Sequence, residues 1–234
     1  MYRFSIALAN QNDERHGISN LELTDGCFGA PLWELSPEQL EEIRDRLIYE
    51  LSRVVLYTVS LPVREQEKYV RLLRAAHLLN VENLHLTYAA VEGASQEEIQ
   101  AVIRMAEAFS IRVLFCIEAA HIEQFDFEAY RALRGENTGL IFDPSEFVRL
   151  HKCPFLSVLY KLKFKDDIVF LRVNDMLYDS LTPMLPEHGN SEIKECASNL
   201  LVRSFSGYFS FAKYGDEIDL SEVISAFCSA LCNL

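Results

Sequence analysis

The sequence has no apolar run long enough to cross a bilayer, which takes about 20 residues. The first apolar stretch, RFSIALA, is followed within a few residues by charge, and the last, Val223 to Leu234, is also short. Neither suits a secretory leader or a membrane span, so a cytoplasmic setting without a membrane partner is expected. No CxxC pair links Cys27, Cys116, Cys153, Cys196, Cys228 and Cys232. These cysteines read as reduced thiols packed as small hydrophobes. No G-x-G-x-x-G follows a candidate strand and no G-x-x-x-x-G-K-[ST] occurs, which removes the usual dinucleotide and nucleotide cradles. HExxH and G-x-S-x-G are also missing, which argues against a zincin or a serine nucleophile elbow. Positive charge is scarce: 22 Lys and Arg face 35 Asp and Glu, for a net charge of −13. An acidic surface repels phosphate backbones, so nucleic acid is a poor partner. No linker or low-complexity tract interrupts the chain, and one domain over residues 1–234 is expected.

What is present is alternation. Short apolar, β-branched runs recur at Arg3–Ala9, Asn20–Thr24, Val54–Leu61, Asn83–Tyr88, Arg112–Glu118, Gly139–Asp143, Ile168–Asp175 and Tyr208–Tyr214. Helical patterns separate them. Only about ten polar residues lie between the first two runs, too few for a helical crossover, so the first helix should be reduced or missing. Ser36-Pro37-Glu38-Gln39 forms a capping box with Pro at the first helical position, and Leu40, Ile43, Leu47 and Leu51 then share a face. Gln66 to Leu79 repeats this period with Tyr69, Leu72, Ala76 and Leu79 inward. Ser95 to Glu98 is a second capping box, ahead of Ile99, Val102, Ala106 and Phe109. Further helical patterns cover Phe127–Leu133, Ser145–His151, Pro154–Phe164, Ser191–Val202 and the stretch from Leu220. Eight such units predict parallel strands with right-handed crossovers, and hence a lean (β/α)8 TIM barrel. An open doubly wound sheet is the rival, without its nucleotide motifs.

In a barrel of this kind chemistry sits at the C-terminal ends of the strands. Glu118 and Asp143 each close an apolar strand. A carboxylate so placed is costly unless it meets water, a cation or donors. It suits a metal ligand or a general base, or else it caps the next helix or joins a structural ion pair. Arg172 interrupts the strand IVFLRVND, shares a face with Asn174 by alternation, and precedes Asp175. It either holds a substrate anion or neutralises a nearby carboxylate. Glu22, Thr87 and His85 are lesser candidates, His85 being either inside the barrel or turned to the outer helices. His188 lies in the loop PEHGN on the functional rim, and His77 reads as structural.

Four stretches resemble the xylose-isomerase-like barrels, a family of sugar-phosphate isomerases, ketose 3-epimerases, inosose dehydratases and endonuclease IV relatives. They are ISNLELTDG, IRVLFCIEAA, GLIFDPSEFVRLHKCPF, and the series LRVNDM, LPEHGNSEI and FSGYFSFAKY, spread over Gly17 to Tyr214. The resemblance implies a divalent metal, Mn2+ or Mg2+, on a Glu after strand five, an Asp after strand six, a His on strand seven and a Glu on strand eight. The two glutamates would also exchange substrate protons. Glu118 and Asp143 match the first two positions, but the third falls on Arg172 and the fourth on Ala212. Glu146 stands where the family often has Asn or His, Asn174 where it often has Lys, and Asp175 matches the family's Asp. A guanidinium cannot ligate a metal and would attract Glu118 and Asp143 instead. The site is therefore expected to be degenerate, with no cofactor favoured over a metal held by Glu118 and Asp143.

Three functions remain open. One is an isomerase, epimerase or lyase acting on a small polyol or sugar, with Glu118 as base, Arg172 in place of the metal's charge, and Glu22, His85, Asn174, Asp175 and His188 around the substrate. Another is an inactive barrel that binds a carbohydrate or a partner protein. The third is a rearranged carboxylate metal site on Glu118, Asp143, Glu146 and Asp175. A homodimer is an open option. An endonuclease lacks its histidine-rich cluster and cationic face.

Overall fold

The computed structural model describes residues 2–116, 127–213 and 218–233. Eight parallel strands close into a barrel: β1 (Arg3–Ala7), β2 (Asn20–Thr24), β3 (Arg53–Val59), β4 (Asn83–Leu86), β5 (Arg112–Cys116), β6 (Thr138–Phe142), β7 (Ile168–Arg172) and β10 (Tyr208–Phe211). Around the sheet the order is β1-β10-β7-β6-β5-β4-β3-β2. A two-stranded antiparallel ribbon, β8 (Asp175–Met176) with β9 (Pro183–Met184), follows β7. The fold is thus an α/β TIM barrel. The chain clusters into two compact units, one built mainly on Ser5–Cys116 and the other mainly on Leu140–Leu234, with Arg3 and Phe4 belonging to the second.

In the N-terminal unit only turns join β1 to β2, so the expected first helix is missing. Beyond Leu8 the backbone leaves the sheet because Asp13 Oδ2 accepts the N–H groups of Ala9 and Asn10, both at 2.8 Å. This ends β1 two residues before the expected Ala9. Helix α1 (Pro37–Tyr49) starts at the Ser36 capping box: Ser36 N–H donates to Gln39 Oε1 at 2.9 Å, and Gln39 N–H to Ser36 Oγ at 3.3 Å. Leu40, Ile43 and Leu47 are buried, but Leu51 lies beyond the helix end, at φ 52° and 83% exposed. Helix α2 (Gln66–Leu78) buries Tyr69, Leu72 and Ala76. Each such side chain contributes about 1.5–3 kcal/mol when large and fully covered. After β4 comes the short helix α3 (Tyr88–Val91), so Tyr88 belongs to a helix and not to the strand. Helix α4 (Gln96–Ala108) uses the Ser95–Glu98 box; Val102 and Ala106 are its buried pair, while Ile99 and Phe109 are half-buried. Helix α5 (Phe127–Leu133) precedes β6.

In the C-terminal unit α6 (Pro144–Val148) follows β6, α7 (Ile193–Val202) precedes β10, and α8 (Leu220–Cys232) closes the described chain. Phe209 and Phe211 of β10 pack on Phe227 of α8, with ring centroids 5.1 and 5.8 Å apart. Strand β7 stops at Arg172, short of the expected Asp175, because Asp175 turns away to open the ribbon opposite Met184. No described helix is long and apolar enough to cross a membrane. All six cysteines are free thiols, and burial together with the charge of Asp13 pushes Cys27 up to about 11.

Candidate active site

Which side chains face inward follows from the helix contacts. Phe209 and Phe211 point out to α8, so by strand alternation Tyr208 and Ser210 point in. Arg172 sits opposite Ser210 in the β7–β10 ladder and donates from Nη1 to Ser210 Oγ. In the N-terminal unit the Tyr57 hydroxyl accepts the Leu32 N–H at 3.2 Å in the loop leading to α1, so Leu56 and Thr58 face the opposite way. Thr58 Oγ1 lies 3.3 Å from His85 Nδ1, which puts His85 on the inner face. Glu22, in register with Leu56, accepts from Ser5 Oγ at 2.6 Å, and both residues are buried. Each unit thus lines its inner face with polar groups, which stay buried only when hydrogen-bonded.

Asp143 caps α6. Its Oδ1 accepts from Ser145 N–H at 3.0 Å and from Ser145 Oγ at 2.6 Å; its Oδ2 accepts from Asn174 Nδ2 at 3.1 Å. Of the roles open to this carboxylate, the structure displays the helix cap. Arg172 reaches Ser210, and Asp143 is held by Ser145 and Asn174; a pairing of Arg172 with Glu118 lies outside the described residues. Asp175 is turned into the chain that follows it. Its Oδ1 accepts from Met176 and Ser191 N–H, each at 2.9 Å, and its Oδ2 from Gly189 N–H at 3.0 Å. Both oxygens of the expected substrate ligand therefore go to backbone. His188 is exposed on the loop that Asp175 ties down. Glu146 meets Arg149 at 3.4 Å, one turn along the chain. Glu118 lies outside the described residues.

Of the four positions that the resemblance gives to a divalent ion, three lie among the described residues. Position 172 offers a cation, position 212 a methyl group, and the oxygens of Asp143 are already engaged. Among the described residues no group of three or more His, Cys, Asp and Glu could hold a metal.

One further residue was not anticipated. Asp25 directly follows β2, and its Oδ2 accepts the Ser60 N–H at 3.1 Å, just past the end of β3. Ser60 Oγ in turn accepts from Thr87 Oγ1 at 3.3 Å, just past β4. Burial raises the Asp25 carboxyl above the usual range, against the lowering effect of the Ser60 N–H and the Tyr57 hydroxyl. Burial also pushes the Tyr57 and Tyr69 hydroxyls up, helped by the negative charge of Asp25. The signal was a polar residue immediately after a strand, in the run NLELTDG. Its raised value sets a pH dependence. Between its unfolded value of 3.8 and its higher folded value the native state holds the extra proton, so stability falls as pH rises through that window. Asp25→Asn should remove this slope and raise the melting temperature near pH 7, a gain that vanishes below about pH 4. Thermal melts from pH 3 to 8 test this, and a variant with the wild-type pH profile would refute it.

No protein-family model and no curated protein sequence matches the chain. Solved structures do. A D-tagatose 3-epimerase-like protein superposes with a TM-score of 0.72 at 11% identity, covering 99% of this chain and 97% of that one. A xylose isomerase-like TIM barrel protein from Mycobacterium smegmatis, in complex with magnesium, gives 0.67 at 16% identity over 92% and 86%. A family 2 AP endonuclease from Brucella melitensis gives 0.66 at 15% identity over 98% and 99%. The chain has the fold of the xylose-isomerase-like TIM barrels at low sequence identity.

Proposed function

We propose that this barrel acts on a small sugar or polyol as an isomerase- or epimerase-like protein whose site works without the divalent metal of similar folds. The observation that carries this is the inward Arg172, fixed by Ser210 at the end of β7. A guanidinium stays charged at all relevant pH values. Held in place, it stabilises the oxyanion that forms when a proton leaves the carbon next to a carbonyl. Glu118, after β5 in the sequence, is the base that takes that proton. Asp143 sets the orientation of Asn174, and Asp175 holds the loop bearing His188. Glu22 and His85 give the N-terminal unit's inner face the hydrogen-bonding character that suits hydroxyl-rich ligands. Sugar epimerases among the solved structures support the substrate class. Six free thiols and the acidic surface fit a cytoplasmic setting.

The test is turnover of ketoses and polyols, measured with and without a chelator. Activity should survive chelation, and Glu118→Gln should lower kcat by about 10²–10⁴. Full activity in that variant, or loss of activity on chelation restored by Mn2+ or Mg2+, would overturn the assignment. Ala212 favours a second reading, since it withdraws one of the family's two proton-transfer groups. A ligand-induced rise in melting temperature without turnover would select a binding barrel.

A further inference from the structure

The amide of Asn174 has a fixed direction. Its Nδ2 donates to Asp143 Oδ2 at 3.1 Å. An ionised carboxylate offers only acceptors, so the flipped amide would set oxygen against oxygen. Asn174 Oδ1 must therefore face away from Asp143. The residue is only 6% exposed, and Oδ1 is buried with no hydrogen-bond partner among the described residues. Native structures seldom leave a buried acceptor in this state. Asn174 lines a narrow cleft at the C-terminal ends of β7 and β10, with Asp175, Met184, Ala212, Lys213 and Val223 among the other walls. The cleft has room for about one water molecule.

We propose that Asn174 Oδ1 accepts a hydrogen bond from a ligand hydroxyl, so that this cleft selects alcohols by donor and rejects oxygens that carry no proton. The proposal rests on the sugar or polyol reading above and names what that ligand must present. A metal ion accepts lone pairs from its substrate; an amide oxygen accepts a hydrogen bond from it. Recognition at this end of the barrel is thus inverted in polarity. A carbonyl, ether or phosphate oxygen set directly against Asn174 Oδ1 would meet lone pairs. The carboxylate that a metal-dependent barrel would give to its ion instead sets the direction of an amide. Much of the wall is apolar, from Pro183, Met184 and Val223. Asp175 and Lys213 are its charged residues. A hydroxyl needs only one acceptor and brings its own carbon to the apolar side.

The probes are sorbitol and its hexa-O-methyl ether, titrated by calorimetry into the wild type, Asn174→Leu, Asn174→Ser and Asp143→Asn, with melting temperatures recorded for each. The wild type should bind sorbitol and not the ether. Asn174→Leu and Asn174→Ser should each weaken sorbitol binding roughly tenfold or more, the loss of one buried hydrogen bond. Asp143→Asn still caps α6 through its amide oxygen, which turns its Nδ2 hydrogens to Asn174 and favours the flipped Asn174 amide, and should weaken binding roughly three- to tenfold. Sorbitol binding unchanged in both folded Asn174 variants sinks this assignment and leaves the polyol reading standing. Equal binding of the ether by the wild type does the same. A wild type that binds no polyol at all overturns the polyol reading, and the assignment with it.

Discussion

Asp175→Ala should lower stability by about 3–5 kcal/mol, which in a chain of this size is a fall of roughly 6–20 °C in melting temperature. Three backbone N–H groups converge on this carboxylate at 2.9–3.0 Å, and the side chain is 3% exposed. Met176 and Ser191 are themselves fully buried, so water cannot replace the lost acceptor at either. Each such orphaned donor costs about 1–3 kcal/mol. Asp175→Asn should recover only part of the loss, because its amide keeps one acceptor oxygen and turns two hydrogens toward the remaining donors. Hydrogen exchange provides the local readout. The amides of Gly189 and Ser191 should lose protection well before those of β6 and β7. A melting temperature within 2 °C of the wild type, with both amides still protected, would remove Asp175 as the anchor of this loop.

Gly207→Ala should cost about 3 kcal/mol or more, a fall of roughly 6–12 °C. Gly207 stands just ahead of β10, where that strand comes alongside β7. A Cβ there would lie 2.1 Å from the Val169 carbonyl oxygen and 2.6 Å from Phe205 Cε2. The phenyl ring can swing aside, but the carbonyl is part of the backbone beside the β7–β10 ladder that pairs Tyr208 with Phe170 and Ser210 with Arg172. Relief therefore requires the two strands to separate, which also loosens the Arg172–Ser210 contact. Gly135→Ala serves as the control, because a Cβ there meets nothing within 4 Å. Chemical denaturation of both variants decides the matter, and equal stability would show that the strands yield freely.

The barrel was legible because its signals are local. Ser36 with Gln39, and Ser95 with Glu98, announce helix starts within four residues, and the two capping boxes form as the sequence predicts. The missing first helix followed from counting residues between two strands. Strand ends were less legible, since they are set by side chains that take the backbone elsewhere. Asp13 draws Ala9 and Asn10 out of β1, and the ribbon draws Asp175 out of β7. The site divides in the same way. The Asp-Pro-Ser run after β6 contains the signal for a helix cap, and Asp143 is one. The contact of Arg172 with Ser210 could not be read locally, because Ser210 lies 38 residues away on another strand. Counting back two from Ala212 would have put Ser210 on the inner face. Asn174 was a candidate by position alone; its fixed direction needed Asp143 in three dimensions.

The Asp143–Asn174 and Arg172–Ser210 pairs also bear on how this barrel could change. Giving it the ligand set that the resemblance implies would take an imidazole at 172, a carboxylate at 212, and an Asp143 released from Asn174. None of these steps gains an ion alone. Arg172→His would leave Ser210 without its guanidinium partner, Ala212→Glu would add an acid with no ion to bind, and a change at Asn174 would unseat a buried amide. The present arrangement is therefore entrenched. A single change at 143, 172 or 174 takes a present hydrogen bond from a partner that lies elsewhere in the chain, Asn174 or Asp143 in one pair and Ser210 in the other.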